Sequence, residues 1–129
     1  MSSNPRRRLL SVDGNADSFE MLSTLLKLSE IDSESASTAA QALAMAKAAP
    51  FDMYLLEAWL PNVDGFELCR QLRTAEPNTP IVFFSAAAYD ADQKRGIQAG
   101  ANEYVKKPDI NSLLQSISRH IPNIDATAQ

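Results

Sequence analysis

The sequence predicts an α/β fold, a doubly wound (βα)5 three-layer sandwich whose five-stranded parallel sheet is covered by helices on both faces. Two observations predict it. Short apolar runs alternate five times with longer segments whose apolar residues recur at helical spacing. Such alternation implies a parallel sheet joined by right-handed crossovers. The chain has 129 residues and is 45% apolar, which suits one compact domain burying roughly 70% of its unfolded surface.

The elements follow in order. Leu9 to Val12 is a short, mostly apolar run ending at Asp13-Gly14-Asn15, and Phe19, Leu22, Leu25 and Leu26 then mark a helix from about Ala16 to Ser29, with Asn15 as its N-cap. Ile31 to Thr38 is rich in serine and acid; propensity alone makes it a loop, and the alternation makes it an edge strand. Thr38 caps a helix carrying Ala42, Leu43 and Ala46, and Phe51 to Leu56 reads as a buried strand. A third helix starts at about Gly65 and carries Phe66, Leu68, Cys69 and Leu72. The pattern recurs with strand Ile81 to Phe84, helix Asp90 to Ala99, strand Tyr104-Val105 and helix Ile110 to His120. The whole chain, 1–129, reads as one domain with a core at about 7–121 and a frayed polar tail at 122–129, with no linker and no second domain.

Composition excludes several classes. Twelve basic against sixteen acidic residues give a net charge of −4, without the electrostatic footprint of a nucleic-acid binder. The Arg6-Arg7-Arg8 run is read as capping the solvent end of the first strand. No apolar stretch approaches the roughly 20 residues of a membrane span, so the expectation is a soluble, cytoplasmic protein. A single cysteine, Cys69, forms no internal disulfide and fits a buried small hydrophobe. A single histidine, His120, builds no multi-histidine metal site and suits the helix dipole at its C-terminal end.

In sheets of this kind, ligands bind at the carboxyl ends of the strands where strand order reverses. The residues there are Asp13 after the first strand, Glu57 after the third, Ser85 after the fourth and Lys107 after the fifth. Singly, these suit a helix cap, a turn former and a solvated charge. Jointly, two carboxylates, a hydroxyl and an ammonium converge from four distant stretches.

Val12-Asp13-Gly14, Leu56-Glu57 with Leu60-Pro61-Asn62-Val63-Asp64-Gly65-Phe66, Phe84-Ser85-Ala86, Ala99-Gly100-Ala101 and Lys107-Pro108 together resemble the receiver domain of bacterial two-component response regulators. The likeness covers nearly the whole chain in matching order and spacing. It implies the flavodoxin-like strand order 2-1-3-4-5 and a stand-alone receiver, lacking an output domain, that signals by docking onto another protein. In the family, an aspartate carboxylate accepts a phosphoryl group from a partner phosphohistidine, and a magnesium ion held by neighbouring acids offsets the charge. The resemblance assigns the phosphoacceptor position to Glu57 and phosphoryl contacts to Ser85 and Lys107. It assigns the metal to Asp13, Glu57 and the backbone carbonyl of Trp59, and a cis peptide to Pro108. Tyr104 is either the aromatic whose rotation reports activation or a half-buried strand tyrosine. With Lys106 it belongs to the family's docking face for a sensor histidine kinase or downstream effector. Nucleic acid and membrane are not expected partners, and the domain is not expected to be an enzyme in its own right.

Two departures bear on this. Gly14 stands where the family has a second acid, so magnesium binding is expected to weaken. Glu57 replaces the aspartate, and its extra methylene carries the carboxylate about an ångström further into the pocket. Misplacement on that scale costs on the order of 100-fold in rate. The expectation is an atypical receiver that works without phosphorylation. Glu57 then either holds the switch partly activated by its own charge or simply pairs with Lys107 in a rigid interaction scaffold of the same fold. A still phosphorylatable receiver is the further alternative. Trp59 has two readings as well, lid or partner anchor against packing on the adjacent helix. A flavodoxin-like electron carrier is disfavoured because Asp13 and Asp17 would repel a phosphate at the first turn. A magnesium-dependent phosphatase is disfavoured by Glu57, since its nucleophile is an aspartate.

Overall fold

The computed structural model describes residues 6–14, 16–60 and 64–121. Five strands, β1 (Arg7–Val12), β2 (Ile31–Ala36), β3 (Met53–Leu56), β4 (Ile81–Ser85) and β5 (Glu103–Lys106), alternate with α1 (Ala16–Lys27), α2 (Ala39–Ala48), α3 (Gly65–Ala75), α4 (Asp90–Ala99) and α5 (Ile110–His120). All strand pairs are parallel, in the order β2-β1-β3-β4-β5. Sheet order therefore reverses between β1 and β3, the strands immediately followed by Asp13 and Glu57.

Strand side chains alternate between two apolar layers. Leu9, Met53, Leu55, Val82 and Val105 pack with Leu22, Leu26, Leu113 and Ile117, so α1 and α5 cover one face. Leu10, Val12, Tyr54, Leu56 and Phe83 pack with Ala42, Phe66, Leu68, Leu72 and Ala99, so α2, α3 and α4 cover the other. Each fully buried large side chain contributes about 1.5–3 kcal/mol. Cys69 belongs to the second layer and is fully buried; burial pushes its thiol up to about 11.

The polar strand β2 lies at the sheet edge, where pairing supplies what propensity lacks. Its register sets Asp32 beside Arg8 and Glu34 beside Leu10, and the acids take ion pairs from Arg6 at 2.8 Å and Arg8 at 2.5 Å. The Arg6-Arg7-Arg8 run thus differs from the expected solvent cap: Arg7 and Arg8 lie inside β1, and Arg8 also covers the Phe51 ring at 4.2 Å. The strand ends at Ala36, because Thr38 turns away as the α2 N-cap, accepting a hydrogen bond from Gln41 N at 3.1 Å. Other boundaries shift by one or two residues: α1 ends at Lys27, β3 starts at Met53 and β4 runs on to Ser85. Asn15 and the tail 122–129 lie outside the described residues. His120 sits in the last turn of α5, as expected, and its Nε2 is 2.6 Å from the Glu103 carboxylate.

Candidate functional site

Four strand ends carry the site, and the sheet's hydrogen bonding runs one residue past three of them. Asp13 N donates to Ala36 O (3.1 Å), Glu57 N to Val12 O (3.0 Å) and Lys107 N to Ser85 O (3.0 Å). The backbones that present the functional side chains are therefore held by the neighbouring strands. Lys107 precedes a cis bond to Pro108.

The predicted residues meet. Lys107 Nζ donates to Asp13 Oδ2 at 2.7 Å and to Glu57 Oε1 at 2.9 Å. All three side chains are only 15–20% exposed, so their charges are weakly screened. Burial alone would pull the Lys107 ammonium down, but the hydrogen bonds and charges of Asp13 and Glu57 outweigh it and hold the group above its ordinary value. The second oxygen of Glu57 is also engaged, accepting from Ser85 Oγ and from Ala58 N, the latter at 2.8 Å.

From Ser85 the contacts run outward. Ala87 N donates to Ser85 Oγ at 3.1 Å, and the Tyr104 hydroxyl donates to Ala87 O. The Tyr104 ring stacks on Phe83 with centroids 5.2 Å apart, and burial raises its hydroxyl's pKa. Gly96 of α4 makes this position possible, since a methyl group there would lie 2.8 Å from Tyr104 Cδ2. Lys106, two residues along β5 and on the same sheet face, is exposed.

The described residues on either side of 61–63 meet beside the Glu57 backbone. Trp59 bridges Asp64, Asp64 caps α3 by accepting from Glu67 N at 2.8 Å, and Gly65 lies so close that a methyl group there would fall 2.1 Å from Glu57 O. Trp59 packs on the adjacent helix, its ring meeting Phe66 of α3 edge-on at 5.9 Å, and is 55% exposed. Arg95 of α4 lies 4.3 Å over the Phe66 ring, 5.8 Å from Trp59 and 3.6 Å from Asp64.

Sequence reasoning found Asp13, Glu57, Ser85, Lys107 and Tyr104. It missed Ala58 N, Ala87 and Gly96, which act through backbone groups or through having no side chain. The glycine within a helical pattern was the available signal for Gly96. As arranged, the two carboxylates that the resemblance assigns to magnesium are engaged within the protein, which suits at most a weak site. Both carboxylates are bound by one ammonium, Gly14 supplies no ligand beside Asp13, and no group of three acidic, imidazole or thiol ligands converges among the described residues.

Comparison with known proteins identifies the family. A family described as "Response regulator receiver domain" matches residues 9–118. The DNA-binding response regulator MtrA of Mycobacterium tuberculosis is 35% identical over 103 residues, 80% of this chain and 45% of that protein. Response regulator ArlR of Staphylococcus epidermidis is 42% identical over 69 residues, 53% of this chain and 31% of that protein. The chain thus spans less than half the length of these curated relatives. Among solved structures, chemotaxis protein CheY4 of Vibrio cholerae superposes with a TM-score of 0.84 at 26% identity, over 91% of this chain and 100% of that one. The non-phosphorylated HemR receiver domain of Leptospira biflexa gives 0.83 at 28%, over 91% and 95%. With the family matched along most of its length and the four strand-end residues gathered at the switch point of the sheet, this chain belongs to the response regulator receiver domains.

Proposed function

We propose that this receiver works without phosphorylation, Glu57 standing in for the phosphorylated aspartate and holding the activated arrangement through its own charge. The observation that carries this is the double engagement of Glu57: Lys107 on one carboxylate oxygen, Ser85 and Ala58 N on the other. A glutamate serving only as a salt-bridge partner has no need of Ser85. Drawing Ser85 toward Glu57 orients the 85–87 turn, and the Ala87 carbonyl then holds the Tyr104 hydroxyl. The carboxylate brings one negative charge where a phosphoryl group brings about two, so the bias is partial. Magnesium binding is weak, because Gly14 contributes no acid and Lys107 already neutralises the pair. The domain performs no catalysis of its own. Its output is contact with an effector protein at the face bearing Tyr104 and Lys106, with no nucleic-acid or membrane contact.

Two measurements test this. Intact mass after incubation with magnesium and acetyl phosphate should show no phosphoryl group on the native chain; uptake there restores ordinary phosphoacceptance and overturns the proposal. In Glu57→Gln, NMR of the Tyr104 ring should show it leaving the Phe83 stack. An unmoved ring leaves a rigid scaffold as the better account, which the ion pairs of Lys107 would also serve.

A further inference from the structure

From the charged triad of the candidate site a cavity of about 130 Å³ runs toward α1. Its walls are apolar: Phe19 and Leu22 of α1, Phe84 of β4, and Pro108 and Ile110 at the entry to α5. Met21, also among the lining residues, is 52% exposed. The polar end is formed by Asp13, Glu57 and Lys107, with the hydroxyl residue Ser11, itself 5% exposed, on the same lining. An apolar cavity with a few convergent polar groups is the usual form of a small-molecule site.

We propose that this cavity binds an uncharged, ring-sized organic molecule bearing a hydroxyl group. Size limits the body to a single ring, since roughly 150 Å³ admits benzene and this cavity holds about 130 Å³. Charge sets the head. Asp13 and Glu57 are already paired with Lys107 at 2.7 and 2.9 Å. An anionic head would face two carboxylates, and a cationic head would have to compete with the Lys107 ammonium for them. Either must break an ion pair in a partly buried setting, which is costly. A hydroxyl both donates and accepts, so it meets carboxylate and ammonium together without disturbing either pair. Occupancy next to Lys107 gives the pocket an input other than a phosphoryl group. This inference rests on the same triad as the proposed function, but binding is read at the cavity walls, so its failure is distinguishable from phosphoryl uptake in the mass measurement.

The test is amide NMR titration of the full chain with benzyl alcohol, and with benzylamine and benzoate as charged comparators. Benzyl alcohol should give saturable shifts concentrated at Leu22, Phe84 and Ile110. Met21→Trp, a change at an exposed position, should crowd the cavity and weaken binding by about tenfold or more; Ile110→Trp provides a second filling variant should the first fold poorly. Shifts that do not saturate, that lie elsewhere, or that survive both filling variants overturn the site. Equal or tighter binding of benzylamine or benzoate overturns the assignment of an uncharged head.

Discussion

Lys107 brings a positive charge into contact with both Asp13 and Glu57, so its removal leaves two partly buried carboxylates facing each other. Lys107→Met is expected to lose about 2–3 kcal/mol, somewhat less than for a fully buried pair, measurable by urea unfolding at neutral pH. The sign of the pH dependence follows from the raised ammonium. Its stabilisation is complete below the unfolded value, near pH 10, and is lost as pH rises through the higher folded value. Native protein should therefore lose stability on going from about pH 9 to 11 more steeply than Lys107→Met does; parallel slopes would show that the ion pairs contribute nothing. The sequence made Asp13, Glu57, Ser85 and Lys107 legible because a strand end is a position that periodicity can locate. It was silent on Ala58 and Ala87, whose parts are played by backbone N–H and C=O groups common to nearly every residue.

Among the elements, α4 and β5 meet where a glycine faces an aromatic ring. Gly96→Ala is favourable for helix propensity by up to about 1 kcal/mol. The added methyl group nevertheless falls 2.8 Å from Tyr104 and 3.1 Å from Phe83. The variant should therefore gain little or no stability, and its Tyr104 ring should shift outward, seen as a rise in ring exposure by NMR; a stabilised variant with an unmoved ring would count against this coupling. Edge strand β2 makes the complementary point. Its Asp32-Ser33-Glu34-Ser35 run has poor strand propensity, and the parallel register brings its acids within reach of the β1 arginines. Propensity reads one segment at a time, so only alternation across the whole chain pointed to a strand. Asp64 shows the same limit at a helix start: its capping role is set by the chain's turn at Gly65, not by residue type alone.

At the scale of the molecule, Arg73 of α3 ties together two loops at the end of the sheet away from the site. Its guanidinium donates to Glu76 O (3.1 Å), Pro77 O (3.0 Å) and Thr79 O (2.7 Å) before β4, and to Gly100 O and Asn102 Oδ1 (both 2.9 Å) before β5. Asn102 Oδ1 also accepts from Ile81 N at 2.9 Å. Arg73→Ala is expected to cost about 3 kcal/mol and lower Tm by roughly 10 °C, as read by thermal unfolding. Lysine should rescue only part of this, since a point ammonium cannot span acceptors spread like these. A Tm within a degree or two of the native value would show that water replaces the network.

The order of strands and helices, the two-sided core and the strand-end position of each charged residue were determined by the sequence itself, because apolar periodicity and chain order are local properties. Tertiary structure alone decided how the charges settle. Whether Glu57 faces Lys107, Ser85 or both depends on where three separately folded strand ends stop, to within a fraction of a hydrogen-bond length. Only the packed sheet sets that distance, and with it the use of both carboxylate oxygens.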